Sequence, residues 1–434
     1  MTLTWLGVAT IVALLVLILG RITSVLVALT LVPVATGLIG GFGGRLGAFA
    51  MDGIRGVLPV ASLLAFAVLF FGVMRDAGLF EPVIRRLVGR LHGDPVKIML
   101  GTAAIATTAH LDGAGASTFM ITIPAMLPLY LRARMDPLAL TCTTALAAGT
   151  MNILPWSGPT TRAAAALQVG TNAIFLPVVP SLLAGMAAVF AFAYLIGMRE
   201  RRRIAGLEPR APDVRAPGGR DGAAPARGSA MLWSFNAALT IATLAVLVTD
   251  VVPPTFAFIA ATGVALIVNF PDALQQRERI TAHGSDAMLM VTTVFAAGVF
   301  SGILTGSGML GAIADDLTRV LPEVVLRHLP VAMAIASMPL SLAFDPDSFY
   351  FGLLPVLAKA SQGAGGSALD VARAAVLGQM TTGFPVSPLT PSTFLLIGLA
   401  GVDLADHQRR TIGYAFAVTI VMAVTALAVG AIRW

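Results

Sequence analysis

Apolar runs separated by short polar segments occupy most of this chain. Ten runs approach the length of helices that cross a lipid bilayer. They lie near residues 3–20, 22–40, 57–74, 138–152, 174–197, 231–250, 254–270, 287–305, 371–381 and 411–431. This pattern predicts an all-α, polytopic membrane protein. No basic region precedes the first run, so we expect it to be a membrane span rather than a cleaved signal.

Two of the apolar regions cannot be continuous helices. Two prolines and a glycine interrupt region 138–165 within 152–162, and three prolines and a glycine interrupt region 371–401 within 382–393. Each proline removes a backbone donor and clashes with the preceding turn. Inside a bilayer, freed backbone groups are tolerated only where they line a cavity enclosed by protein. One broken helix in each half of a chain is typical of the binding site of a secondary transporter.

Two further apolar segments, 98–130 and 330–358, are interrupted at their centres. The first contains His110 and Asp112, and the second contains an Asp-Pro-Asp sequence that begins at Asp345. Each arm is too short to cross a bilayer comfortably. We therefore predict two re-entrant helical hairpins, each entering and leaving the membrane on one side.

Residues 199–229 form the one long hydrophilic stretch. They are rich in Arg, Pro, Gly and Ala without a hydrophobic period, which predicts a flexible linker between a first repeat, 1–198, and a second, 230–434. Its eight arginines place it in the cytoplasm by the positive-inside rule. Counting spans outward then puts both chain ends outside, with the first hairpin entering from the cytoplasm and the second from outside.

The two halves are therefore predicted to be repeats of inverted topology. Each would have about five transmembrane helices plus a re-entrant hairpin. Three local matches at an offset of about 230 residues support a duplication. They are 72–80 with 302–310, Pro124 with Pro355, and Pro155 and Ser157 with Pro385 and Ser387.

Composition narrows the class of protein. The chain is 57% hydrophobic and 12% charged, whereas a soluble domain is about 25% charged. The net charge of +6 does not indicate a nucleic-acid partner, because the basic residues lie in predicted loops. The single Cys142 allows no internal disulfide, and no Cys or His motif indicates a zinc or iron–sulfur site. We expect a surrounding lipid bilayer and no permanently bound cofactor.

The broken helices offer neutral groups to a substrate. An unwound segment presents N–H groups and a helix N-terminus to an anion, and carbonyls to a cation. The predicted substrate-binding residues are Asn152, Ser157, Gly158, Thr160, Thr161, Arg162, Ser387, Thr390, Ser392 and Thr393, with Gly113, Ser117 and Ser348 from the hairpins. The alternative for either break is a proline kink with packing hydroxyls.

The charged candidates are few. Arg162 is the one basic residue predicted within the membrane, where an unpaired charge costs about 2.5 kcal/mol or more. It would hold a substrate carboxylate or, alternatively, form a structural pair with a hairpin aspartate. Asp112, Asp345 and Asp347 are candidates for binding a divalent cation or carrying protons, and His110 for a proton relay. The alternative for Asp112 and Asp347 is capping of a hairpin helix.

Segments 110–130, 152–163, 348–352 and 387–393 resemble, in order and spacing, the citrate–divalent-metal:proton symporter family. The resemblance implies import of citrate or a related tricarboxylate as a complex with Mg²⁺ or Ca²⁺, coupled to protons. It also implies a multi-pass protein of a bacterial inner membrane. Through the related divalent-anion/sodium symporters, it implies a mobile transport domain with two hairpins, a homodimer and elevator-type movement.

The chain departs from that family at Ala114, where a second acidic residue is common, and at Pro346, where Asn is common. Asp345 is the candidate replacement for the missing acid, and the metal preference stays open. The alternative function is a sodium-coupled di- or tricarboxylate symporter without a metal complex. An enzyme is not expected, because the aspartates lie at hairpin tips, whereas an intramembrane aspartyl protease needs them facing each other on continuous helices.

Overall fold

The computed structural model describes residues 2–20, 22–91, 93–206, 230–249, 251–320 and 322–433. All regular elements in these ranges are helical, which confirms the predicted all-α class. Five helical segments are long and apolar enough to cross a bilayer, and six apolar helices are shorter. The long segments are Gly43–Asp76, Thr171–Ala205, Ala230–Leu247, Ala273–Gly306 and Leu404–Ala428. The predicted polytopic membrane protein is confirmed as well.

The described residues contain two successive series of ten helices. The first series is α1 (Leu3–Leu19), α2 (Val25–Ile39), α3 (Leu46–Asp76), α4 (Glu81–Arg90), α5 (Pro95–Ala109), α6 (Gly115–Arg132), α7 (Pro137–Met151), α8 (Gly158–Leu167), α9 (Thr171–Phe175) and α10 (Val179–Ala205). The second is α11 (Ala230–Thr249), α12 (Pro254–Asn269), α13 (Ala273–Gly306), α14 (Met309–Val320), α15 (Glu323–Arg327), α16 (Leu329–Ala343), α17 (Leu354–Gly363), α18 (Ala368–Val376), α19 (Pro391–Ala400) and α20 (Leu404–Ala428).

The order of long and short helices is similar in the two series. A shift of 230 residues carries Asp76, the last residue of α3, onto Gly306, the last residue of α13. The same shift brings α1 and α2 onto α11 and α12, and α7 and α8 close to α18 and α19. This parallel agrees with a duplication, and the opposite orientation of the halves stays a prediction.

Each predicted hairpin segment contains two helices joined by a turn. In the first hairpin α5 and α6 flank a tip that includes the 3₁₀ turn His110–Asp112. In the second, α16 ends before residues 344–347, and a π-helical turn, Ser348–Leu353, leads into α17. Asp94 caps α5 and pairs with Arg201 of α10 at 2.6 Å, and the bond from this guanidinium lowers the pKa of the Asp94 carboxyl. Insertion of the hairpins into a bilayer stays a prediction.

Three predicted boundaries were wrong. The linker does not begin at 199, because α10 continues to Ala205 through arginines and Glu200, which favour a helix and pair with each other. The rest of the predicted linker, from 207 on, lies outside the described residues. Helices α3 and α13 begin well before the apolar runs 57–74 and 287–305, because each starts with a helical segment that contains charged residues, Asp52 and Arg55 in α3 and Arg277 and Glu278 in α13.

Both predicted breaks are present. Helix α7 ends at Met151 and α8 begins at Gly158. The second break is longer than predicted: α18 ends at Val376 and α19 begins at Pro391. The helix stops early because Gly378 packs directly on the α16 backbone, where a Cβ would lie 2.5 Å from the nitrogen of Met338. Met380 then adopts a left-handed conformation with φ of 55°, which no helix continues.

Helices α3 and α13 pack through glycine. A Cβ atom at Gly53 would lie 1.9 Å from the carbonyl oxygen of Gly298, and one at Gly302 would lie 2.2 Å from that of Phe49. The two backbones approach so closely only because these residues have no side chain. This contact joins the first half of the chain to the second.

We predict that Gly53→Ala destabilises the protein. The added methyl group would overlap a backbone atom of α13, and overpacking of this kind costs about 1–3 kcal/mol. Thermal unfolding of the detergent-purified protein measures the effect. Gly263→Ala on α12 is the matched control, because a Cβ there meets nothing within 4 Å. Equal melting temperatures for the two variants would contradict the close α3–α13 packing.

Candidate functional site

The two breaks lie against each other, although they are more than 200 residues apart in sequence. The side-chain amide of Asn152 in the first break donates to the carbonyl oxygen of Met380 in the second, at 2.6 Å. Just before the first break, Gly149 packs on the second, and a Cβ there would lie 3.0 Å from the carbonyl oxygen of Thr381. The two segments therefore form one continuous unwound region.

His110 attaches the first hairpin tip to this region. Its ring is fully buried and is bonded at both nitrogens, with Nε2 3.1 Å from Oδ1 of Asn152 and Nδ1 2.8 Å from Oγ1 of Thr118. The NH₂ group of Asn152 donates to Met380, so the carboxamide oxygen of Asn152 faces the imidazole. Nε2 of His110 is therefore the donor in this hydrogen bond. The ring also stacks on Phe384 of the second break. His110 therefore positions the tip relative to both breaks.

The first tip also covers the start of α8. The indole of Trp156 donates to the carbonyl of Leu111 at 2.9 Å. Gly113 has a left-handed φ of 73°, and a Cβ there would lie 2.8 Å from Oγ of Ser157. Asp112 accepts the N–H of Ala114 at 2.9 Å and the hydroxyl of Ser117. These bonds stabilise the turn that precedes α6, whose N-cap is Ala114.

The second tip is capped by a different aspartate than predicted. Asp345 accepts the N–H groups of Asp347 at 3.0 Å and Ser348 at 3.1 Å, together with the Ser348 hydroxyl. Asp347 instead accepts a hydrogen bond from Nε of Arg162 at 2.7 Å. The structural-pair alternative for Arg162 is therefore what this conformation contains.

The Arg162–Asp347 ion pair joins α8 of the first half to the hairpin of the second. Arg162 also approaches the carbonyl of Gly158 at 3.4 Å and the sulfur of Met380 at 3.7 Å. The pair is only partly buried, with 23% and 16% of the two side chains exposed. A Cβ at Gly158 would lie 3.0 Å from Nη1 of Arg162, so a side chain here would crowd the guanidinium.

Two cavities meet at this ion pair, and we call them together the Arg162 pocket. One has a volume of about 500 Å³ and the other about 300 Å³, a size suited to a small organic molecule. Both are walled by Arg162 and Asp347. Polar residues of the larger cavity include Ser24, Thr161, Thr292 and Thr293, and those of the smaller one include Asp345 and Thr390.

Most predicted hydroxyl ligands bind the protein itself. The buried oxygen of Ser157 has no hydrogen-bond partner within the described part of the chain. Several others donate to carbonyl groups: Thr160 to Ile153, Thr161 to Ser157, Ser387 to Ser341 and Thr393 to Phe384. Ser392 lies near Gly115 of the first hairpin. These bonds hold the unwound segments in shape.

The sequence comparisons decide the family. Residues 6–378 match the family model described as citrate transporter. A citrate transporter of Bacillus subtilis (strain 168) is 43% identical, with 96% of each chain covered. The Mg(2+)/citrate complex secondary transporter of that organism is 39% identical, again over 96% of each chain. This chain belongs to the citrate transporter family. The predicted family resemblance is confirmed, and the relatives are named transporters rather than enzymes.

The fold of this family member is also similar to that of a solved transporter. The crystal structure of the YdaH transporter of Alcanivorax borkumensis superimposes with a TM-score of 0.64, covering 99% of this chain and 98% of that one. The sequences are 16% identical, so the likeness concerns the fold alone.

Sequence reasoning missed the residues that attach the second hairpin of this transporter. The Ser341 hydroxyl contacts Gln379, the N–H of Met380 donates to Ser341 Oγ at 3.2 Å, and the Tyr350 hydroxyl donates to the Gln379 carbonyl at 2.8 Å. The offset between the two halves could have indicated Ser341, because it follows His110 by 231 residues. Both residues join a hairpin to a break.

We predict that Asn152→Ala destabilises this transporter. The change leaves the carbonyl of Met380 and Nε2 of His110 without their buried partner, at a cost of about 1–3 kcal/mol for each group left unpaired. Thermal unfolding measures it. Thr249→Ala is the control, because that exposed hydroxyl bonds only to its own helical turn. An unchanged melting temperature for Asn152→Ala would show that the two breaks do not depend on this contact.

Proposed function

We propose that this protein imports citrate as a complex with a divalent cation such as Mg²⁺, with protons as the coupling ion. The family match and the two named relatives support citrate as the substrate. The relative named as a Mg(2+)/citrate complex transporter supports the complex. One structural observation carries the proposal further: the Arg162 pocket contains an ion pair rather than a single charge.

A metal–citrate complex fits this ion pair because it is itself a joined anion and cation. A citrate carboxylate can replace Asp347 on the guanidinium of Arg162, and the metal can replace Arg162 on the Asp347 carboxylate. Free citrate would leave Asp347 without a partner, and a free metal ion would leave Arg162 without one. Leaving one charge of this partly buried pair without a partner costs free energy, because water around it is limited. The complex avoids that cost on both sides.

The ligands nearby suit this exchange. Asp345 lies in the smaller cavity with Asp347, and hard divalent cations prefer carboxylate oxygens. Citrate would complete the coordination, since Mg²⁺ keeps an octahedral set of oxygens. Ser157 offers an unused hydroxyl at the start of α8, but Gly113 covers it. Substrate contact with Ser157 therefore requires the first hairpin tip to move.

The architecture supports alternating access. Two hairpins, two breaks and a repeated helix order are the parts from which inverted-repeat transporters are built. We propose that hairpins and breaks move together, in an elevator-type step, against a scaffold that includes the glycine-packed helices α3 and α13. We further propose a homodimer in the bacterial inner membrane. Protons fit as the coupling ion, because a citrate trianion with a divalent metal is still an anion and an inside-negative potential opposes its entry.

We predict that purified protein in proteoliposomes takes up labelled citrate only when a divalent cation is present. EDTA should abolish uptake, Mg²⁺ or Ca²⁺ should restore it, and a protonophore should collapse it. Replacing Na⁺ by choline should change nothing. Equal uptake with and without EDTA would refute the metal complex. Loss of uptake in choline would establish the sodium-coupled alternative.

We predict that Asp347→Asn removes the preference for the complex over free citrate. Without the carboxylate the metal loses a ligand, whereas Arg162 stays available to a citrate carboxylate. A hydrogen bond to a charged group is worth about 1.5–3 kcal/mol, so the ratio of the two affinities should fall roughly tenfold or more. Calorimetric titration with citrate and with Mg²⁺–citrate measures both affinities.

The control for this titration is Asp316→Asn, which removes an equivalent but exposed ion pair with Arg319 on α14. It should leave the ratio of affinities unchanged. A wild-type ratio in Asp347→Asn would exclude the metal from this carboxylate.

A further inference from the structure

A second charged cluster lies where α3, α13 and the tip of the first hairpin meet. It borders a cavity of about 230 Å³, separate from the Arg162–Asp347 pair. We call it the His283 cluster. Its members are Arg75 and Asp76 at the end of α3, Arg279, His283 and Asp286 on α13, and Asp112 at the hairpin tip. Asp112 is the one member of the cluster among the site residues predicted from the sequence.

The imidazole of His283 is held from three sides. Its Nε2 is 2.9 Å from Oδ2 of Asp76, and its Nδ1 is 3.5 Å from a guanidinium nitrogen of Arg75. The ring lies flat on α3, where a Cβ at Gly72 would be 2.5 Å from it. The side chain is almost fully buried. This is a built position rather than a solvated histidine on a helix surface.

The bonds assign the protons. A guanidinium can only donate, so the contact with Arg75 requires an unprotonated Nδ1 that accepts. The ring proton then lies on Nε2 and is donated to Asp76. If Nδ1 also carried a proton, it could no longer accept the hydrogen bond from Arg75. The imidazolium and the guanidinium would then be two positive charges in contact. Arg75 would then need another partner.

That partner lies on the moving element. Nη1 of Arg75 is 4.0 Å from Oδ2 of Asp112, at the outer limit of an ion pair. Arg75 is therefore shared between His283 of α13 and the tip of the first hairpin. If it left the imidazole, it could close fully on Asp112.

The charges of the cluster balance with one added proton. The cluster contains the carboxylates of Asp76, Asp112 and Asp286 and the guanidiniums of Arg75 and Arg279, so its formal charge is negative by one while His283 is neutral. Arg279 is occupied by Asp76 at 3.2 Å and by the ring of Phe270. Among the nitrogen atoms of the cluster, Nδ1 of His283 is the one with a lone pair that can accept a proton.

We infer that His283 binds the co-transported proton at Nδ1 and passes the effect to the first hairpin through Arg75. Proton binding displaces Arg75 onto Asp112 and fastens the hairpin tip to α3. When the proton is released, Arg75 donates to His283 again and its contact with Asp112 at the hairpin tip weakens. This inference rests on the proposed proton coupling and names the group that performs it.

The test compares two activities of His283→Gln in proteoliposomes, both with Mg²⁺ present. One is net citrate uptake with and without an inward proton gradient, and the other is citrate–citrate exchange at equal pH. Glutamine keeps a polar side chain but takes up no proton. We expect the stimulation by the gradient to fall from several-fold to about onefold, whereas exchange, which needs no net proton movement, continues. His328→Gln, at an exposed histidine, is the control and should behave as wild type.

A second variant guards against a purely structural effect. Gly72→Ala keeps the histidine but forces its imidazole ring away from α3, because the added Cβ would lie 2.5 Å from the ring. The stimulation of uptake by the proton gradient should be lost in this variant as well. Stimulation of His283→Gln at the wild-type level would overturn the role of His283 alone. Absence of stimulation in the wild type would overturn the proton coupling itself. Loss of exchange together with stimulation in both variants would show a structural role and overturn the inference.

Discussion

The hydrogen-bonded group around Asn152 is the contact on which the candidate site depends. Its amide holds the second break through Met380, and its oxygen holds the first hairpin through His110. Unwound backbone in a membrane protein is tolerated only when its polar groups find partners inside the protein. A single carboxamide provides both a donor and an acceptor, so it can join two segments that no helix connects.

Around this group the site is symmetric in backbone but not in charge. Both breaks lie between short helices, and both have a hairpin against them. Only the first break is followed by an arginine in the next helical turns, and this Arg162 pairs with Asp347 on the hairpin of the other half. The ion pair therefore connects the two halves of the chain.

The Arg162–Asp347 pair and the His283 cluster differ in what can replace their contacts. A ligand that carries both an anion and a cation can replace the Arg162–Asp347 contact on both sides. A proton bound at Nδ1 of His283 would instead end the contact with Arg75. The tip of the first hairpin contacts the start of α8 through Gly113, which packs against Ser157. The same tip contacts the His283 cluster through Asp112, which lies near Arg75.

The sequence alone determined the helical class, the membrane character, the two breaks and the family, because apolar runs and prolines are local signals. It also placed Arg162 beside a break and acids at hairpin tips. Only the tertiary structure decided the partners: that Asp347 rather than Asp345 pairs with Arg162, that most hydroxyls bond inward, and that Arg75 lies between His283 and Asp112. These pairings depend on distances between residues that are far apart in the chain. The local sequence around each residue contains no information about those distances.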